Sequence, residues 1–256
     1  MIEHSPVAPY AVARGLTGTD LKQSLAAGLR DFMAHPLYGL FFASFYVLGG
    51  FLMVYGLSQV GQGWWTIPAM AGFPLIAPFS AVGLYEVSRR REAGLPLSWG
   101  AVLGALRGRG GDEQVVMMGG LVFIAFSFWM GLAHGVYAIF IGELGVGHDV
   151  ARLLAEPSVI AMLIVGSLLG GLFALALFSI TVMSLPMLVD RDVDFITAII
   201  VSLGVMRCNK GIMIGWALII AVLLGLSLIP AFAGLFIALP VLGHATWHLY
   251  RRAVVS

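Results

Sequence analysis

The sequence predicts an all-α fold: a polytopic membrane protein with six transmembrane helices as three hairpins, each preceded by a short amphipathic helix on the cytoplasmic surface, and with both termini cytoplasmic. Three observations lead there. Of 256 residues, 60% are hydrophobic and 11% charged, against about 25% charged in a soluble domain, so too little polar surface exists to cover a water-exposed body. Mean hydropathy is +0.97, and uncharged runs reach the roughly 20 residues needed to cross a hydrocarbon core of about 30 Å. Lysine and arginine alternate between loops, with 13 of the 14 on one face of a six-span path.

Residues 1–19 read as a cytoplasmic tail and 20–256 as a single six-helix domain. The tail carries Glu3, Pro6 and Pro9 and no apolar core before Leu16, unlike a cleavable signal peptide, so insertion is expected to rely on the first internal span. A surface helix is expected over 20–32. No charged residue then occurs between Asp31 and Glu86, and the polar, glycine-rich 58–63 with Trp64 and Trp65 divides this run into spans over 37–57 and 67–87. Paired tryptophans suit the membrane interface.

A second surface helix over 97–107 leads to spans over 115–141 and 159–187. In a third, over 194–207, Phe195, Ile199, Leu203 and Met206 fall at helical spacing while Asp194, Ser202 and Arg207 are expected to stay in water. The last uncharged stretch, 211–250, is too long for one crossing and divides at Pro230.

Orientation follows from the basic residues. Arg14, Lys22 and Arg30 precede span one; Arg89, Arg90, Arg91, Arg107 and Arg109 separate spans two and three; Arg191, Arg207 and Lys210 separate four and five; Arg251 and Arg252 follow span six; Arg152 alone lies opposite. Cytoplasmic loops retain such residues, so the expected location is a bacterial inner (plasma) membrane with both termini inside.

An internal repeat is expected over 20–88, 97–191 and 194–252. The three surface helices end in a bulky apolar residue and an arginine (Leu29 and Arg30, Leu106 and Arg107, Met206 and Arg207), each with a small residue three positions before the arginine: Ala27, Gly104 and Gly204. Pro78 to Arg89 and Pro240 to Arg251 align Tyr85 with Trp247 and Glu86 with His248, whereas Pro186 lies nearer Arg191. The intramembrane glycine pairs Gly131 and Gly135, Gly166 and Gly170, and Gly211 and Gly215 are no more frequent than 33 glycines produce by chance, so none is assigned to an interface.

The run Ser184-Leu-Pro-Met-Leu-Val-Asp-Arg-Asp-Val-Asp-Phe-Ile-Thr-Ala198 with Ser202 and Asn209, the segment Pro74 to Arg90 with Leu84-Tyr85-Glu86, and the ending Gly243-His-Ala-Thr-Trp-His-Leu-Tyr250 resemble a family of uncharacterised bacterial integral membrane proteins, a domain of unknown function. The resemblance extends over most of the chain after about residue 20. It implies a six-span inner-membrane protein, and some relatives carry a transferred name that relates them to a cytochrome oxidase subunit.

Among candidate sites, His244 and His248 lie four apart on one helix face, and His35 and Glu86 fall near the same interface, so these four are the candidate metal ligands. The competing reading has them bond to one another and to nearby arginines. The cluster Asp190, Arg191, Asp192 and Asp194 is the candidate for docking a partner or gating a path, with capping of the third surface helix as its structural alternative.

No nucleophile elbow, phosphate-binding loop, HExxH motif or mid-span carboxylate occurs, which argues against an enzyme and implies no cofactor. The single cysteine, Cys208, excludes an intrachain disulfide, and a net charge of +1 offers nothing to nucleic acid. The lipid bilayer is the partner the composition implies, and the oligomeric state stays open. The expected function is an accessory or structural subunit packing against a larger membrane complex, a respiratory one by the family's transferred name. The alternative is a small transporter or channel for a neutral or lipid-like solute, and a third reading is a redox protein with metal or haem on His35, His244 and His248. A dry, filled bundle would favour the first, a polar cavity at mid-membrane the second.

Overall fold

A computed structural model describes residues 10–59, 81–107, 113–141, 156–229 and 232–255, and the chain is mostly helical. Strand β1 (Ala11–Val12) comes first. Helix α1 (Gly18–Ala34) begins on a capping box: the Thr17 hydroxyl accepts from the Asp20 amide, and the Asp20 carboxylate accepts from the Thr17 amide at 2.8 Å. These bonds satisfy N–H groups that a helix start leaves without partners. α2 (Pro36–Gln59) is the first expected span. α3 (Val82–Glu92) forms the end of the second, whose residues 67–80, like Trp64 and Trp65, lie outside the described residues.

α4 (Trp99–Gly104) starts where the Ser98 hydroxyl accepts from the Ala101 amide, and it tightens into a 3-10 turn over Ala105–Arg107. α5 (Gln114–Ile141) and α6 (Pro157–Thr181) follow, and α7 (Ser184–Asp190) continues α6 after a break. α8 (Phe195–Cys208) is capped by the Asp194 carboxylate, which accepts from the Thr197 amide at 2.8 Å. α9 (Lys210–Leu228) and α10 (Leu235–Ala253) complete the helices. Strand β2 (Val254–Val255) then pairs antiparallel with β1, joining the two ends of the chain.

Among the described residues, α2, α5, the α6–α7 run and α9 contain stretches long and apolar enough to cross a membrane. α10 is not one of them, because one end carries His244, His248, Arg251 and Arg252 within nineteen residues. The division of 211–250 at Pro230 falls on a residue outside the described set, but it separates α9 from α10.

Two surface expectations change in the structure. α1 does not rest its buried face on lipid; Ser24, Gly28 and Asp31 on that face turn toward α10, and the backbones meet so closely that a Cβ on Gly28 would lie 2.5 Å from the Ala245 nitrogen. Ser202 is buried, not in water. At the break between α6 and α7 the Ser202 hydroxyl donates to the Ser179 carbonyl at 2.7 Å and accepts from the Met183 amide, four residues on, at 3.2 Å. One side chain thus re-satisfies both backbone groups that the interrupted turn frees, as a low-dielectric interior requires.

The short helices follow a pattern in their packing. α4 lies on α3, α8 lies on α6 and α7, and α1 lies on α10.

Candidate functional site

Where α1, α3 and α10 meet, a buried polar network replaces apolar packing. Asp31 on α1 is its centre. Ser88 on α3 donates to Asp31 Oδ2 at 2.6 Å, His248 on α10 donates Nε2–H to the same oxygen at 2.9 Å, and Arg91 pairs with Oδ1. Burial opposes ionisation of Asp31, yet the hydrogen bonds from His248 and Ser88 hold its pKa below the ordinary carboxylate value. Since the Ser88 proton is committed to Asp31, Nδ1 of His244, 2.7 Å away, is the donor to Ser88 Oγ. Nε2 of His244 is buried and has no hydrogen-bond partner among the described residues, like Ser24 Oγ and Trp216 Nε1.

The structure does not gather the four candidate ligands. His244 and His248 share a neighbourhood through Ser88 and Asp31, but the Glu86 carboxylate is held by Arg89 at 2.6 Å and Arg90 at 2.8 Å, and His35 ends α1 as its C-cap. Among the described residues no three His, Cys, Asp or Glu side chains form a group able to hold a metal ion.

The acidic cluster disperses in a similar way. Asp190 accepts from the Tyr250 hydroxyl at 3.0 Å and from Arg251 at 3.2 Å, and Arg191 sits 4.9 Å over the Tyr10 ring. Asp194 caps α8 and its pKa is lowered by the hydrogen bonds from Thr197, leaving Asp192 exposed.

Less than one helical turn from Ser88 along α3, Tyr85 opens onto a cavity of about 590 Å³. Its described walls come from α2, α3, α6, α9 and α10 and are almost wholly apolar. The space exists because small residues face it: Ala217, Ala221 and Gly225, four apart on α9, and Gly171 and Ala174 on α6. A Cβ on Gly171 or Gly225 would meet nothing within 4 Å. At one end stand Tyr85, Thr181 and Thr246, and at the other Phe232, a non-glycine residue at φ 68 whose ring packs on Phe51 at 4.9 Å.

The sequence does not mark Asp31 and Ser88 as network members, and it singles out Tyr85 only through the repeat and the family resemblance. The four-residue spacing of small side chains on α9 was the one local signal of the cavity. No curated protein and no solved structure matches the chain. Residues 66–190 match the family described as Predicted integral membrane protein (DUF2189); the run from Ser184 straddles the end of this match and the ending 243–250 lies beyond it. With its apolar, membrane-length helices, the chain is an integral membrane protein that is similar, over residues 66–190, to that family of unknown function.

Proposed function

We propose that the protein is a non-enzymatic protein of the bacterial inner membrane, six-spanning with both termini in the cytoplasm, whose bundle holds a neutral, lipid-like molecule. The cavity of about 590 Å³ carries this reading, since it has the size and apolar lining of a ligand pocket. The bundle is neither filled nor polar at its centre. An ion entering such a space would lose its hydration with little to replace it, so a lipid-like solute fits better than a charged one.

Two further observations support the architecture. Thirteen of the 14 basic residues fall on the face assigned to the cytoplasm. Each short helix rests on the second span of the preceding unit, and the first rests on the last, as expected of three units over 20–88, 97–191 and 194–252 related by a pseudo-threefold axis.

A second reading, an accessory subunit of a larger membrane complex of the respiratory kind, is favoured by one observation. The outer half of the α5–α6 hairpin exposes large apolar side chains on several sides, among them Phe128, Ile139, Ile164 and Leu168. The experiment that separates the readings is native mass spectrometry of the full chain, extracted from its own membrane in mild detergent. One retained lipid-like adduct per chain, lost in Ala221→Phe, supports the first reading. A stoichiometric protein partner without an adduct supports the second. A bare chain overturns both.

A further inference from the structure

Four side-chain hydroxyls line the cavity, and three of them, on Tyr85, Thr181 and Thr246, lie together at one end; the fourth, on Tyr46, is ten residues into α2. Tyr85 is four residues before Arg89 on α3, Thr246 five before Arg251 on α10, and Thr181 nine before Asp190 on the α6–α7 run, all within about 14 Å of the charged face at 1.5 Å per residue. From there the lining continues along α9 from Ile214 to Leu228, fourteen residues or roughly 21 Å, without a charged side chain. Apart from Tyr46, the space is therefore apolar along its length, with its other hydroxyls gathered at one end.

The three hydroxyls at that end are not equivalent. Thr181 and Thr246 each donate to a carbonyl of their own helix, Leu177 and Leu242, at 2.8 Å, so only their lone pairs remain. Tyr85 is 3% exposed, and among the described residues its hydroxyl has no hydrogen-bond partner. A donor that meets an apolar cavity without an acceptor is available to a ligand there and gains by finding one. Among the described residues no lysine, arginine or histidine lines the cavity, so none of them balances an anion there.

We infer that the cavity takes a neutral long-chain molecule that ends in a carbonyl, with the carbonyl oxygen accepting from the Tyr85 hydroxyl and the chain lying along Ala217, Ala221 and Gly225. This rests on the lipid-holding reading and specifies its ligand. An acyl ester and an isoprenoid ketone share the required chemistry, a single acceptor on a long apolar body.

The test uses the full chain in lipid nanodiscs with a photoreactive long-chain acyl ester and its ether counterpart, which lacks the carbonyl. The wild type is expected to label with the ester about threefold to tenfold more than with the ether, the factor that one neutral hydrogen bond carries, with the labelled peptides on α9 and α10. Tyr85→Phe brings the ester down to the ether level and leaves ether labelling unchanged. Ala221→Phe, which fills the space, abolishes both. Unlabelled acyl ester or polyprenyl ketone competes, and the better competitor identifies the chain type; competition by neither overturns the inference.

An ester preference that survives Tyr85→Phe, or no preference in the wild type, also overturns the inference while leaving the cavity reading intact. Undiminished labelling in Ala221→Phe removes the lipid-holding reading itself. Thermal melting of each variant verifies that it is folded.

Discussion

The charged end of the bundle and the outer half of the α5–α6 hairpin are both rich in glycine, yet they pack in opposite ways. At the charged end, Gly28, Gly39 and Gly243 allow backbones and side chains to approach so closely that a Cβ would collide with Ala245, Pro240 or Leu84. Ion pairs and hydrogen bonds from Asp31, Glu92 and Asp190 join α1, α3, α7 and α10 there. In the hairpin, Gly131 and Gly135 meet nothing within 4 Å, Gly166 meets only Val136 at 3.9 Å, and Gly170 alone is crowded, by the Trp129 ring. Only 11% of the most apolar window in the α6–α7 run is buried, and 22% of that in α5. Spacing of small residues does not by itself produce a helix contact in this chain; close approach occurs where buried polar groups fix the helices against one another.

The largest break in this contrast is expected from Asp31→Ala. It strands Arg91, His248 and Ser88 in a buried site and should destabilise by about 3 kcal/mol, read as a lower thermal midpoint in detergent. A similar loss from the surface change Asp192→Ala would remove the distinction between the network and ordinary polar positions.

Next, Gly28→Ala should cost about 2 kcal/mol by forcing α1 away from α10. Gly131→Ala should be neutral or stabilising by up to about 1 kcal/mol, since it relieves backbone entropy in open space. Equal effects at the two glycines would refute the packing difference.

Ser202→Ala should cost about 1 kcal/mol by removing the hydroxyl that joins Ser179 and Met183. Ser202→Thr, which keeps a hydroxyl, should recover part of it, and unfolding of both variants side by side decides the point. The smallest effect concerns pH. Because the folded pKa of Asp31 is lowered, its contribution is fully present above the ordinary carboxylate value of about 3.9 and is lost as pH falls through the lower folded value. Its share of stability should therefore be flat from about pH 7 to 5 and decline in stronger acid, and a wild-type minus Asp31→Asn difference curve across that range tests this.

Much of the fold was legible because it is local. Hydropathy placed α2, α5, α6 and α9 within a few residues, and the three short helices begin at Thr17, Ser98 and Asp194, side chains of the type that cap helices. The site was not legible, because its bonds join residues far apart in the chain: 57 positions between Asp31 and Ser88, 156 between Ser88 and His244, and 217 between Asp31 and His248. No periodicity records such pairings. Ser202 illustrates the same limit at shorter range, since helical spacing turned it outward, and the backbone groups that draw it inward belong to another helix.

The docking of α1 on α10 has a consequence for how the protein is made. The ribosome completes residue 34 long before residue 235, and at about 5–20 residues per second the 201 intervening positions take roughly 10–40 s. Throughout that interval Asp31 has neither His248 nor the α10 backbone beside it. A chain halted before its last helix therefore displays an unpartnered carboxylate and a bare glycine face at its start, a mark by which incomplete products differ chemically from finished ones. Only when α10 arrives can Ala13 donate to the Ala253 carbonyl at 2.9 Å, so the segment that leads into α1 settles late.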